Sequence, residues 1–118
     1  MSDDWSTERL QRELDACPAI VFHGLRVDHI DADKGELVMA MPLKPELERS
    51  EGSGQFHGGP VATLIDTAGD FAVALKVGGG VPTMNFRVDY LRPCTGPEIT
   101  ATARVRKMGA RQRSPISM

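Results

Sequence analysis

HGGPVATLIDTAGDFAVALKVGGG, running from His57 to Gly80, reads as a single helix with its start and its stop written into it. Two glycines and Pro60 make a turn that enters the helix, and proline suits the first helical position because its missing N–H has no partner there. The helix is predicted from about Gly59 to Lys76. Val61, Leu64, Ile65, Ala68, Phe71, Ala72 and Leu75 fill most of its circumference, which is the pattern of a buried helix. Gly78, Gly79 and Gly80 end it without steric cost. Asp66, nine residues after His57, interrupts the apolar run. A buried charge without a partner is costly, so this carboxylate is a candidate base or nucleophile. The helix start offers unpaired backbone N–H groups and a positive dipole end. Together they supply half of an acyl-transfer site.

Upstream, residues 5–16 read as a short amphipathic helix with Trp5, Leu10 and Leu14 near one stripe, Ser6 as its cap and Pro18 as its stop. Leu25 to Ile30 and Glu36 to Leu43 alternate as strands do, the second with Leu37, Met39 and Met41 on one face. Asp31-Ala32-Asp33-Lys34-Gly35 joins them as turn chemistry, making a hairpin. Residues 44–56 are polar and glycine-rich and read as a mobile loop. Downstream, Pro82 to Leu91 is predicted as a strand with Met84, Phe86, Val88 and Tyr90 on one side and Asn85, Arg87 and Asp89 on the other. Met39, Met41, Met84 and Phe86 read as core. Glu98 to Lys107 is a further strand, and Met108-Gly109-Ala110 a further turn. Strands joined by short turns make an antiparallel sheet, and one buried helix must cover one of its faces, an α+β layer arrangement.

The bulk properties narrow the function classes. At 118 residues, the chain reads as a single domain, residues 1–118. A net charge of −2 with no basic stripe argues against nucleic acid as the main partner. No apolar stretch is long enough to span a bilayer, and Met1-Ser2-Asp3-Asp4 lacks the hydrophobic region of a signal peptide. Cys17 and Cys94 show no metal-ligand spacing and read as free thiols of a reducing cytoplasm. No metal or redox cofactor is expected.

His57-Gly58-Gly59 with Asp66, followed by Val88-Asp89-Tyr90-Leu91-Arg92-Pro93, resembles the hotdog-fold acyl-CoA thioesterases of the phenylacetate-pathway branch over roughly residues 20–110. The resemblance implies a hotdog fold, a central helix wrapped by a curved antiparallel sheet. It implies a homodimer or homotetramer with sites at the subunit interface and acyl-CoA as substrate. It puts the nucleophile or general base on Asp66, the oxyanion-donating N–H on Gly58, a supporting hydroxyl on Thr83 and a positioning histidine on His57. Two departures stand out. The family carries Asn or Gln six residues before the histidine, where this chain has Glu51. A carboxylate cannot donate a hydrogen bond unless protonated, so Glu51 reads as a loop charge or as a second carboxylate beside Asp66. The family also continues for two more strands beyond about residue 110, and the last strands are therefore missing or altered here.

Gly59 adds a second N–H at the helix start. Asn85, Arg87, Arg92, Arg106, Arg111 and Arg113 read as a solvated face and rim, from which arginines suited to coenzyme A phosphates are drawn. His23 and His29 read as surface or strand residues. The leading expectation is hydrolysis of an acyl-CoA thioester. The rivals are a non-catalytic acyl-CoA-binding module, favoured by Glu51 and the short C-terminus, an inactive oligomeric scaffold, and a dehydratase, for which no suitable Asp–His spacing is present.

Overall fold

Ser6 opens the first helix as expected: its hydroxyl accepts from the Arg9 N–H at 3.0 Å and caps α1, Thr7–Leu14. The structure, a computed structural model, describes residues 5–79 and 83–107. Pro18 does more than end α1. It is the first residue of a second short helix, α2, Pro18–His23, which Gly24 closes in the left-handed conformation at φ 72°. A proline cannot continue a helix but is well shaped to begin one, so the same residue acts as stop and start. The hairpin follows as β1, Arg26–Asp31, and β2, Glu36–Pro42. The last strand is β3, Glu98–Arg104, and the sheet runs β1-β2-β3, antiparallel throughout.

Register puts the apolar residues on one face. Leu37, Met39 and Met41 of β2 stand opposite Ala103, Ala101 and Ile99 of β3, and α3, Gly58–Val77, lies across that face. Leu10, Leu14, Leu37, Met39, Met41, Leu47 and Leu64 are the largest fully buried side chains. The helix buries Val61, Leu64, Ala68, Ala72 and Leu75 in this core, at the spacing that keeps one stripe inward. Its other side is only half-buried and carries Ala62, Asp66, Gly69 and Asp70. Pro60 is the third helical residue rather than the first, because the helix begins at Gly58. Gly78 closes it at φ 83°.

The turn between β1 and β2 is tied to both other layers. Gly35, at φ 67°, accepts from the Val105 N–H at 2.9 Å, and Lys76 Nζ donates to the Asp33 carbonyl at 2.9 Å. Residues 44–56 are an ordered connection. A 3-10 turn at Pro45–Leu47 starts it, and the Glu48 carboxylate accepts from the Gly52 and Gly54 N–H groups at 3.1 and 2.9 Å. The Phe56 and His57 N–H groups donate to the Cys94 and Leu47 carbonyls at 2.9 and 2.8 Å, which fixes the entry to α3.

The predicted strand over residues 82–91 is not formed. Residues 83–91 pair with no strand among the described residues, and a strand exists only through ladder hydrogen bonds to a neighbour. The core assignments there fail with it: Met84 is 64% exposed and Phe86 36%, while Met39 and Met41 are fully buried. Cys17 and Cys94 are free thiols. Gly80, Pro82, the turn at residues 108–110, Arg111 and Arg113 lie outside the described residues. Among those described, no helix is long and apolar enough to cross a membrane.

Candidate active site

Asp66 sits in the middle of α3 on the half-buried side. Ala62 and Gly69, four residues before it and three after, share that side and leave room beside the carboxylate. Thr83 lies against this side of the helix. Its hydroxyl oxygen lies 2.7 Å from Asp66 Oδ1 and 2.8 Å from both oxygens of Asp70. Burial pushes the Asp70 carboxyl above the usual carboxylate range, opposed by the Thr83 hydrogen bond and reinforced by the neighbouring charge of Asp66.

A second cluster forms at the start of α3. His57 is the residue before the helix, extended at φ −69° and ψ 151°, and its side chain makes no cap. Among the described residues nothing accepts from the Gly58 or Gly59 N–H, as befits the first turn of a helix. Tyr90 Oη donates to the Gly58 carbonyl at 2.8 Å, leaving the N–H side of the same peptide chain free. A Cβ at Gly58 would lie 3.6 Å from the Tyr90 ring, an ordinary contact.

Of the residues singled out by sequence, Asp66 and Thr83 are brought together, and Gly58, Gly59 and His57 gather at the helix start. The two groups are separated: eight helical residues at 1.5 Å each put Asp66 about 12 Å along the axis from Gly58. Glu51 is exposed and touches neither group; Glu48 performs the anchoring in that loop. Asn85, Arg87 and Arg92 are exposed, and Arg87 Nε pairs with Asp89 at 3.2 Å. Two residues escaped sequence reasoning. Asp70 carried a usable signal, a second carboxylate four residues from the first and so on the same face. Tyr90 stood within the Val88–Pro93 motif, but alternation placed it with Met84 and Phe86 on an apolar strand face.

The family model of the thioesterase superfamily matches residues 53–112. A protein of Halobacterium salinarum named as an esterase is 39% identical over 106 residues, spanning 86% of this chain and 68% of its own. The acyl-coenzyme A thioesterase PaaI of Escherichia coli is 34% identical over 107 residues, spanning 89% of this chain and 71% of its own. The solved structure of that PaaI protein, from the phenylacetic acid degradation operon, superposes with a TM-score of 0.68 at 28% identity, covering 92% of this chain and 74% of its own. A Haemophilus influenzae thioesterase structure shares the fold at a TM-score of 0.76 and 22% identity, covering 90% of this chain and 72% of its own.

Proposed function

The chain belongs to the thioesterase superfamily, in its PaaI-like family, and from that premise we propose that this thioester hydrolase acts on acyl-CoA through Asp66 and the Gly58 N–H. The observation that carries the assignment of Asp66 is the 2.7 Å contact from Thr83 Oγ1 to Asp66 Oδ1. It holds one carboxylate oxygen and leaves the other for the reacting centre. Asp66 then either attacks the thioester carbonyl carbon or takes a proton from a water that does. Charge develops on the carbonyl oxygen and is met by the Gly58 N–H at the positive end of α3. Collapse of the intermediate breaks the C–S bond; coenzyme A leaves as the thiol, its sulfur taking back the proton that Asp66 removed from water or, after direct attack, a proton from solvent. After direct attack, water hydrolyses the acyl–Asp66 anhydride. The route calls on no metal or redox cofactor.

The separation of about 12 Å decides how the two groups are used. A reacting atom must lie about 3 Å from both nucleophile and oxyanion donor, which one helix does not permit. Each site is therefore composite, with Asp66 from one copy and Gly58 from a second. The exposed apolar side chains Met84, Phe86, Tyr90 and Leu91, which follow Thr83, support such a contact between copies. Arg92, exposed beyond them, is suited to a coenzyme A phosphate, as is Arg87, and Asn85 is exposed in the same segment.

Replacing Asp66 by Asn tests the assignment. Release of free thiol from a panel of aromatic and aliphatic acyl-CoAs is expected to fall to background while the thermal melt stays cooperative. Undiminished turnover would remove Asp66 from the mechanism. Wild-type protein that holds an acyl-CoA intact for hours in calorimetry would instead establish the binding-module reading that Glu51 favours.

A further inference from the structure

Asp70 is a titratable group beside Asp66 that the mechanism leaves unused. Thr83 Oγ1 stands 2.7 Å from Asp66 Oδ1 and 2.8 Å from Asp70 Oδ1 and Oδ2. A hydroxyl has one proton to donate and lone pairs that accept, so Thr83 donates to one carboxyl group only. With both groups ionised, the other would face it lone pair to lone pair at that distance. Both contacts become hydrogen bonds when one carboxyl carries a proton and gives it to Thr83.

We propose that Asp70 carries this proton and is a positioning residue for Asp66. Its O–H donates to Thr83 Oγ1, the Thr83 proton is thereby committed to Asp66 Oδ1, and Asp66 Oδ2 is turned to the substrate. The inference rests on Asp66 being the reacting carboxylate. Asp70 rather than Asp66 holds the proton because burial and the adjacent Asp66 charge both disfavour its ionised form. Among the described residues, no cation offsets this from the elements around it. The faces of β2 and β3 turned to α3 carry Leu37, Met39, Met41, Ile99, Ala101 and Ala103, while Glu36 and Arg104 pair on the opposite face, which Glu98 shares. In the segment after α3, Arg87 and Asp89 pair with each other. On α3 itself, Lys76 reaches away to the Asp33 carbonyl.

The test is the pH profile of kcat for wild type, Asp70→Asn and Asp70→Ala, followed by thiol release. Wild type is expected to lose kcat on the alkaline side, as Asp70 ionises and Thr83 loses its donor. Asp70→Asn keeps an N–H donor at every pH, so it should retain near-wild-type kcat at neutrality and lose the alkaline decline. Asp70→Ala should lower kcat by about tenfold or more through misplacement of the carboxylate, with KM little changed. Superimposable profiles for wild type and Asp70→Asn would overturn the inference. So would an Asn variant that folds and is as slow as the Ala variant. If Asp66→Asn kills turnover while Asp70→Asn leaves the profile unmoved, only the role of Asp70 falls. If Asp66→Asn is active, the reading beneath it falls.

Discussion

Mixing two inactive variants should restore activity if, as proposed, the two poles of each site come from different copies. Gly58→Pro deletes the proposed oxyanion donor with little disturbance. Gly58 is the first residue of α3, where proline is well tolerated, and His57 before it is already extended at φ −69°, ψ 151°, as a residue preceding proline must be. The new Cβ meets the Tyr90 ring at an ordinary 3.6 Å. Loss of one oxyanion donor lowers kcat by about 100- to 1,000-fold. Asp66→Asn removes the other pole. In a heterodimer of the two variants, one site inherits both lesions and the other inherits none. Random exchange of equal pools makes about half of all dimers mixed, each with one good site of two, so about one quarter of wild-type turnover should return. The assay is thiol release after subunit exchange, with exchange verified by co-purification of differently tagged chains. Verified exchange with turnover still at background would refute the composite site and with it the use made of the 12 Å separation.

Two further outcomes are expected. Leu64 is fully buried where α3 meets the sheet, so Leu64→Ala should cost about 2–5 kcal/mol, read as a lower urea midpoint; a change below about 1 kcal/mol would mean that the helix is not seated as described. Asp70 is held above the usual carboxylate range, so the folded chain keeps a proton that the unfolded chain has lost. Folding stability should therefore decline as pH rises from about 4 through that window, and the decline should flatten in Asp70→Asn when melting temperatures are compared across pH.

The central helix was legible because its apolar stripe, its glycine entry and its glycine exit agree. The hairpin was legible because a turn sequence separates two alternating runs. Residues 83–91 were misread for a definite reason: alternation reports which side chains share a face, but says nothing of whether a neighbouring strand is there to bond. Met84 and Phe86 were assigned to the core on that incomplete ground. At Pro18 the error was one of direction, since a proline that ends one helix is equally able to start the next. The loop at residues 44–56 was judged by its glycines, whereas its order comes from Glu48, whose carboxylate gathers two of their N–H groups. Glu51 drew attention through its place relative to His57, yet it faces outward. The thioesterase family, its fold and, through the resemblance, the pairing of Thr83 with Asp66 were within reach of the motif; the place of Asp70 against the same hydroxyl was not, because it depends on where Thr83 settles along the helix.

Gly35 carries a consequence remote from any chemistry. A Cβ there would come within 2.8 Å of the Lys76 stem and 3.0 Å of Val105 Cβ, on a backbone already at φ 67°. The lysine stem could swing aside, but the valine is rooted beside the end of β3. A deep mutational survey should thus find this corner nearly as intolerant as the reaction centre, and a reader of such a map who equates intolerance with catalysis would mistake a knot in the scaffold for a second place of work.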